Sequence, residues 1–174
     1  MNPFFIHLTS AIVEECLSLG ARVYTIARNA DQVNATLAEL NEKGYQGRIF
    51  GYVGDVSDRN TLDAFAKEIE KVFDGRVDGL VNNVGTNIRK KAIEYNDAEY
   101  NKVMDTNLHS CFHLSVALYP FMKKNNSLAP NSAKSSIVNI SSVSGLVYCR
   151  VGIVYGMTKA AMNQMTRNLA VEWA

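Results

Sequence analysis

Ser136-Ile-Val-Asn-Ile-Ser-Ser-Val-Ser-Gly145 is followed, after a short bridge, by Tyr155-Gly-Met-Thr-Lys159. The run Ile137-Val138-Asn139-Ile140 is apolar and β-branched, which predicts a buried strand. It ends in small hydroxyl residues, Ser141 and Ser142. From Gly152 onward the pattern turns helical. Tyr155 and Lys159 are four residues apart, so they share one face of that helix. A hydroxyl at a strand end and a Tyr/Lys pair at the start of the next helix can converge on one point, which makes this a candidate proton-transfer site.

Tyr-x-x-x-Lys alone is weak evidence, and a second match stands at Tyr119 and Lys123. That match falls late in an amphipathic pattern with no Ser-rich strand end before it. The pair Tyr155/Lys159 has Ser142 upstream, Asn107 within Thr106-Asn107-Leu108, and Asn82-Asn83-Val84-Gly85 earlier still. These four features in this order resemble the short-chain dehydrogenase/reductase family. Asn-Asn-Val-Gly-Thr-Asn-Ile-Arg-Lys (82–90) and Ala-Val-Glu-Trp-Ala (170–174) are most similar to its tropinone reductase-like members. The resemblance runs from about Ala11 to Ala174.

With 174 residues the chain suits one domain, here a single, partial dinucleotide-binding domain over 1–174. A net charge of +1 argues against a nucleic-acid or membrane-surface binder. No apolar run approaches the length of a membrane span. The N-terminus lacks a basic start, and Glu14 and Glu15 interrupt its apolar run, so it does not read as a signal peptide. Cys16, Cys111 and Cys149 are isolated and odd in number, which predicts reduced thiols and a cytoplasmic location.

Taken in order, residues 1–8 read as a short strand, and Thr9 or Ser10 as the cap of a helix that buries Ile12, Cys16 and Leu19 and ends at Gly20. Strands follow at 23–26, 49–53 and 77–81, with helices over 30–43 and 61–73. The second of those helices carries the stripe Leu62, Phe65, Ile69 and Val72. One long helix is expected over 97–124, then a mobile polar loop over 124–134, the strand ending at Ser142 and the last helix. This alternation predicts an α/β fold with an open parallel sheet of the Rossmann type and helices on both faces. The sheet is incomplete, with a degenerate first strand and no C-terminal strands.

In such sheets a ligand lies beyond the carboxyl ends of the strands. Arg28 follows the second strand with no acid beside it. An arginine there suits a 2′-phosphate, which favours NADP (NADPH) over NAD; a solvated surface arginine is the competing reading. The resemblance implies an adenine contact at Asp55 and Val56, although Asp55 also suits a plain turn. After the fourth strand, Asn83 and Gly85 are expected at the cofactor, with Gly85 permitting close backbone approach and the asparagines tying strands together. The resemblance makes Tyr155 the general acid toward a ketone carbonyl and has Lys159 bind the nicotinamide ribose. Free tyrosine titrates near pH 10, and an ammonium one helical turn away favours the phenolate. Ser142 is expected to orient the substrate oxygen, and Asn107 to support a water relay behind Lys159.

Two departures from the family stand out. Members carry a Gly-rich turn before the first helix, whose amides meet the pyrophosphate. Here the segment is Phe5-Ile6-His7-Leu8-Thr9-Ser10, with no glycine before Gly20. The family's later strands and substrate-covering loop lie beyond the point matched by Ala174, so the chain reads as truncated at both ends. The expected function is an NADPH-dependent oxidoreductase acting on a small-molecule ketone or secondary alcohol. The alternative is a non-catalytic remnant that keeps the fold and its helix-mediated association. His109 and His113 share a helix face, but no third ligand accompanies them, so they read as structural and no metal is expected. Ala160, Ala161, Met165 and Leu169 on the last helix read as core or as an oligomer face. By analogy with the family the latter implies a homodimer or homotetramer.

Overall fold

Leu17 is fully buried, and with Val13, Leu40 and Ile49 it forms the core of the first of two folded units, residues 1–56 and 57–174. The computed structural model describes residues 3–126 and 134–174, with side chains from 9 to 123 and from 134 onward. The first unit contains α1 (Pro3–Ser18), β1 (Val23–Ala27), α2 (Ala30–Leu40), a π-helical turn (Asn41–Tyr45) and β2 (Ile49–Val53). β1 and β2 pair in parallel, with Val23 opposite Ile49 and Ala27 opposite Val53. Val23, Leu37 and Tyr45 pack against the core from β1, α2 and the π turn.

Of the strand expected over residues 1–8, residues 1–2 lie outside the described residues, and from Pro3 onward the chain is helical, in α1. No glycine punctuates the segment before Gly20, so the helical hydrogen-bond ladder extends N-terminally through Thr9 and Ser10, which are interior and not caps. Pro3 is tolerated at the first turn because its missing N–H has no intrahelical partner to lose. Gly20 does end the helix, at φ 92°. The buried face differs from the one expected. Val13 and Leu17 point inward, and Leu19 is 78% exposed. The expected face ended too close to the helix terminus, where the chain already turns away from the core.

The second unit contains α3 (Arg59–Val72), β3 (Gly79–Asn82), α4 (Asp97–Met104), a π-helical turn (Asp105–His109), α5 (Ser110–Asn126), β4 (Ser136–Asn139) and α6 (Ile153–Glu172). Asp58 caps α3 through a bond from the Asn60 amide, and Leu62, Phe65 and Ile69 are buried along the predicted stripe. Val72 is only half-buried. β3 and β4 pair in parallel with Asn82 opposite Asn139. Asn96 caps α4 in a reciprocal box with Glu99. The long helix expected over 97–124 is interrupted by the π turn at 105–109. Residues 127–133 of the loop expected over 124–134 lie outside the described residues, and 124–126 end α5.

Tyr119 and Lys123, the second Tyr/Lys match, serve packing. The Tyr119 ring stacks on Trp173 at 4.3 Å between centroids, and Lys123 Nζ lies 6.0 Å from the Tyr119 ring centroid. His113 accepts a hydrogen bond from Arg59, and His109 pairs with Asp105 across the π turn. Each histidine thus has a local polar partner.

Candidate active site

Asn107 is fully buried in the π-helical turn. A π turn adds one residue to the helical repeat and swings a side chain off the ordinary face. Here it brings Asn107 to the segment that follows β3. Its Oδ1 accepts from the Thr86 amide at 2.7 Å, and its Nδ2 donates to the Thr86 carbonyl at 2.9 Å. The second Nδ2 proton goes to Thr158 Oγ1 at 3.2 Å. One amide therefore joins the 83–86 segment to the first turns of α6.

α6 contributes Tyr155 and Lys159, both buried at 8% and 2% exposure. The Lys159 Nζ donates to the Ile140 carbonyl at 2.7 Å and sits 5.7 Å from the centroid of the Tyr155 ring. Burial pushes the Lys159 amine below its ordinary value, since charge is disfavoured away from water. Gly85 faces this group. A Cβ there would lie 3.6 Å from Asn107 Oδ1 and 3.9 Å from Lys159 Nζ, so the missing side chain keeps open the space before the ammonium.

Ser142 stands just past β4, at the head of a 3-10 turn (Val143–Gly145). Its hydroxyl accepts from the Ser144 amide at 3.2 Å and from Ser144 Oγ at 2.9 Å. The turn abuts α6 at Lys159: the Ser141 hydroxyl donates to the Lys159 carbonyl at 3.3 Å. A Cβ on Gly145 would meet the Lys159 carbonyl carbon at 2.7 Å. Gly145→Ala is therefore expected to push α6 away from the turn. The cost is about 1–3 kcal/mol, the usual range for overpacking a tight contact. A urea melt with unchanged midpoint would show that the contact yields instead.

An amide ladder backs the site, and in it Asn82 ties β3 to β4 as expected of the asparagines after that strand. Asn82 Nδ2 donates to Asn139 Oδ1 at 2.8 Å and to Ser115 Oγ at 3.2 Å. Asn139 Nδ2 donates to Thr166 Oγ1 at 2.9 Å, tying β4 to α6. The Cys111 thiol donates to Asn139 Oδ1 at 3.2 Å. Burial raises the Cys111 thiol to about 12, with the Lys159 charge pulling the other way, so it stays a protonated donor at neutral pH. Asn83 is buried beside this ladder in sequence, and Val84 is exposed. Thr158 and Asn139 are the residues that the sequence reading missed. For Asn139 the signal was an amide between the apolar Val138 and Ile140 of a strand; Thr158, between Met157 and Lys159, carried none.

The first unit holds the other expected residues. Arg28 and Asp55 follow the carboxyl ends of β1 and β2, and the parallel register makes them neighbours. Arg28 Nη1 lies 3.5 Å from Asp55 Oδ2, with side-chain exposures of 54% and 40%. An ion pair this exposed is worth at most about 1 kcal/mol. Val56 is buried.

A strand-end hydroxyl, a buried Tyr/Lys pair on the following helix and an asparagine in a helical bulge together match a known family. Residues 8–174 match the family model described as short chain dehydrogenase, and the chain belongs to that family of oxidoreductases. A tropinone reductase homolog of Arabidopsis thaliana is 45% identical over 164 residues, or 94% of this chain. The chain spans 59% of that relative's length. A short-chain dehydrogenase from Streptomyces avermitilis superposes with a TM-score of 0.80 at 28% identity, covering 93% of this chain and 56% of that one. Actinorhodin polyketide ketoreductase, in a variant crystallised with NADPH, gives 0.79 at 27% identity, covering 89% of this chain and 56% of its own. The fold is the Rossmann-type α/β fold of these neighbours, with an incomplete sheet. Among the described residues no helix is long and apolar enough to cross a membrane.

The family uses nicotinamide cofactors, and the two units differ in how well they suit one. In the second unit the fit is good: the bare Gly85 leaves room beside a buried ammonium and a phenol. In the first unit the segment that should meet a pyrophosphate does not fit. The amides of Thr9, Ser10 and Ala11 lie inside α1, where helical N–H groups are spent on carbonyls four residues back. An anion site needs amides with no such partner.

Proposed function

We propose that the chain carries the reaction centre of an NADPH-dependent oxidoreductase acting on a ketone or secondary alcohol. The observation that carries this reading is the buried Lys159 ammonium, held by the Ile140 carbonyl, flanked by the Tyr155 ring and faced by Gly85. A bound nicotinamide supplies or accepts the hydride. Tyr155 holds the proton exchanged with the substrate oxygen, and the nearby ammonium stabilises negative charge as it develops on the phenol oxygen. Lys159 and Asn83 belong to the nicotinamide-ribose end, where Gly85 gives clearance. Ser142 positions the substrate oxygen. Asn107 braces the 83–86 segment against α6 and supports a proton path behind Lys159.

In the first unit the reading assigns Arg28 to a 2′-phosphate and Asp55 with Val56 to adenine. A weak, exposed Arg28–Asp55 pair leaves the guanidinium available to a dianion. Arg28→Asp is expected to reverse the preference for NADPH over NADH in a chain extended to the length of its relatives. Titration with both cofactors checks this, and an unchanged affinity ratio removes the NADP assignment.

The reading takes residues 1–174 as one partial dinucleotide-binding domain of a cytoplasmic homodimer or homotetramer that associates through α6. A second reading, a non-catalytic remnant, has its own support: α1 occupies the segment where a Gly-rich turn would stand.

A further inference from the structure

One cleft in the second unit is chemically uneven. It has a volume of about 830 Å³ and opens between residues 89–94 and the turn 144–153. Its lining holds four cationic side chains, Arg89, Lys90, Lys91 and Arg150, against a single carboxylate, Glu94. The whole chain has a net charge of only +1, so positive charge is concentrated here. Two of these groups are already engaged. Lys90 pairs with Glu99 at 2.5 Å, and Glu94 accepts from the Lys91 amide at 3.2 Å. The guanidinium groups of Arg89 and Arg150, like the Lys91 ammonium, make no ion pair among the described residues, and the guanidinium groups alone offer forked donors.

The two arginines come from opposite walls, and the walls are pinned together. Asn87 Nδ2 donates to the Val151 carbonyl at 2.6 Å. Tyr95 Oη donates to the Ile88 carbonyl. Gly152, at φ 101°, lets the turn approach: a Cβ there would meet Tyr95 Oη at 2.8 Å and the Ile88 carbonyl at 2.9 Å. Arg89 is two residues from Asn87 and Arg150 is next to Val151, so each stands beside the pin. The rest of the lining is mostly apolar, with Leu146 70% and Ile153 53% exposed and Met157 beside them, and Ser144, Tyr148 and Cys149 add polar atoms. Gly156 and Ala160 also line the cleft, so it borders the first turns of α6, the helix that carries Tyr155.

We propose that this cleft selects an anionic carbonyl substrate, with an apolar body against Leu146, Ile153 and Met157 and a carboxylate paired with Arg89 and Arg150. The inference rests on the reading of the second unit as a carbonyl-reducing centre. A planar guanidinium from each wall offers forked donors to a carboxylate, and an uncharged ester of the same shape gains no such pairing. The cleft is partly open to water, so each arginine is worth roughly a fivefold change in affinity at low salt.

The test uses the 174-residue chain and two probes, 4-acetylbenzoate and its methyl ester, titrated by calorimetry or ligand-observed NMR. The carboxylate is expected to bind more tightly, by roughly tenfold or more at low salt, with the preference shrinking as salt rises. Arg89→Gln with Arg150→Gln should abolish the preference and leave ester binding unchanged. Arg89→Lys with Arg150→Lys, which keeps the charge, should retain part of it. Equal affinity for acid and ester, no binding of either, or a preference that survives the glutamine pair overturns the inference. These readings involve no turnover, so loss of the hydride-transfer reading shows separately, as turnover indifferent to Tyr155.

Discussion

Tyr155→Phe is expected to remove most ketone reduction in a chain extended to the length of its relatives, while NADPH affinity stays nearly unchanged. The substitution deletes one oxygen from a ring that is 8% exposed, so packing is conserved. What is lost is the proton carried by the phenol. General acid–base catalysis by a positioned side chain is worth roughly 10²–10⁴ in rate. Lys159 does not stand in for it, because its Nζ is anchored at the Ile140 carbonyl, 5.7 Å from the centroid of the Tyr155 ring. Tyr119→Phe serves as the control. Tyr119 shares the four-residue spacing to a lysine, but its ring stacks on Trp173 and it stands on α5. Turnover with saturating cofactor should fall in the first variant and hold in the second. Equal losses in both would remove Tyr155 from the reaction.

The second large effect concerns the chain as it stands, which is expected to bind NADPH weakly or not at all. The helix α1 runs from Pro3 through the residues aligned with a pyrophosphate turn. Amides that bond four residues back inside a helix are not available to phosphate oxygens. Two or three lost charge-assisted hydrogen bonds, at roughly 1.5–3 kcal/mol each, weaken binding by about 100-fold or more. Replacing residues 3–10 by a strand and a Gly-rich turn, with the chain extended to its relatives' length, is expected to restore affinity. Fluorescence or calorimetric titration with NADPH compares the two. Micromolar affinity and ketone turnover by the 174-residue chain alone would show that the missing turn matters little. Ser142, Tyr155 and Lys159 are untouched by these changes, so a catalytic signature persists in sequence whatever the binding result.

Much of the fold was legible because hydrophobic periodicity is local. Ile49–Val53 reads as a strand and forms β2 with those bounds, and Leu62, Phe65 and Ile69 mark the buried face of α3. A polar cap at Asn96 or Asp97 marks the start of α4 in the sequence, and the structure gives the role to Asn96, in a reciprocal box with Glu99. The helix over 3–18 was misread at its start because an apolar run such as Phe-Phe-Ile suits strand and helix alike, and only the continuity of the ladder decides.

Sequence order and spacing by themselves determined the family, the alternation of strands and helices, and the Tyr155/Lys159 pair on one helical face. The alternation and the pair depend on residues a few positions apart, and the family on four short motifs in a fixed order. The tertiary structure decided which side chains serve which partner. It turned Asn107 through a π turn onto Thr86 and Thr158, and joined Asn82 to Asn139 across a parallel strand pair. It also set Arg28 against Asp55. The physical reason is distance along the chain: these contacts close loops of 21 to 57 residues. A hydrogen bond across such a loop forms only once strand register and helix packing have brought its ends together, and no local pattern encodes that register.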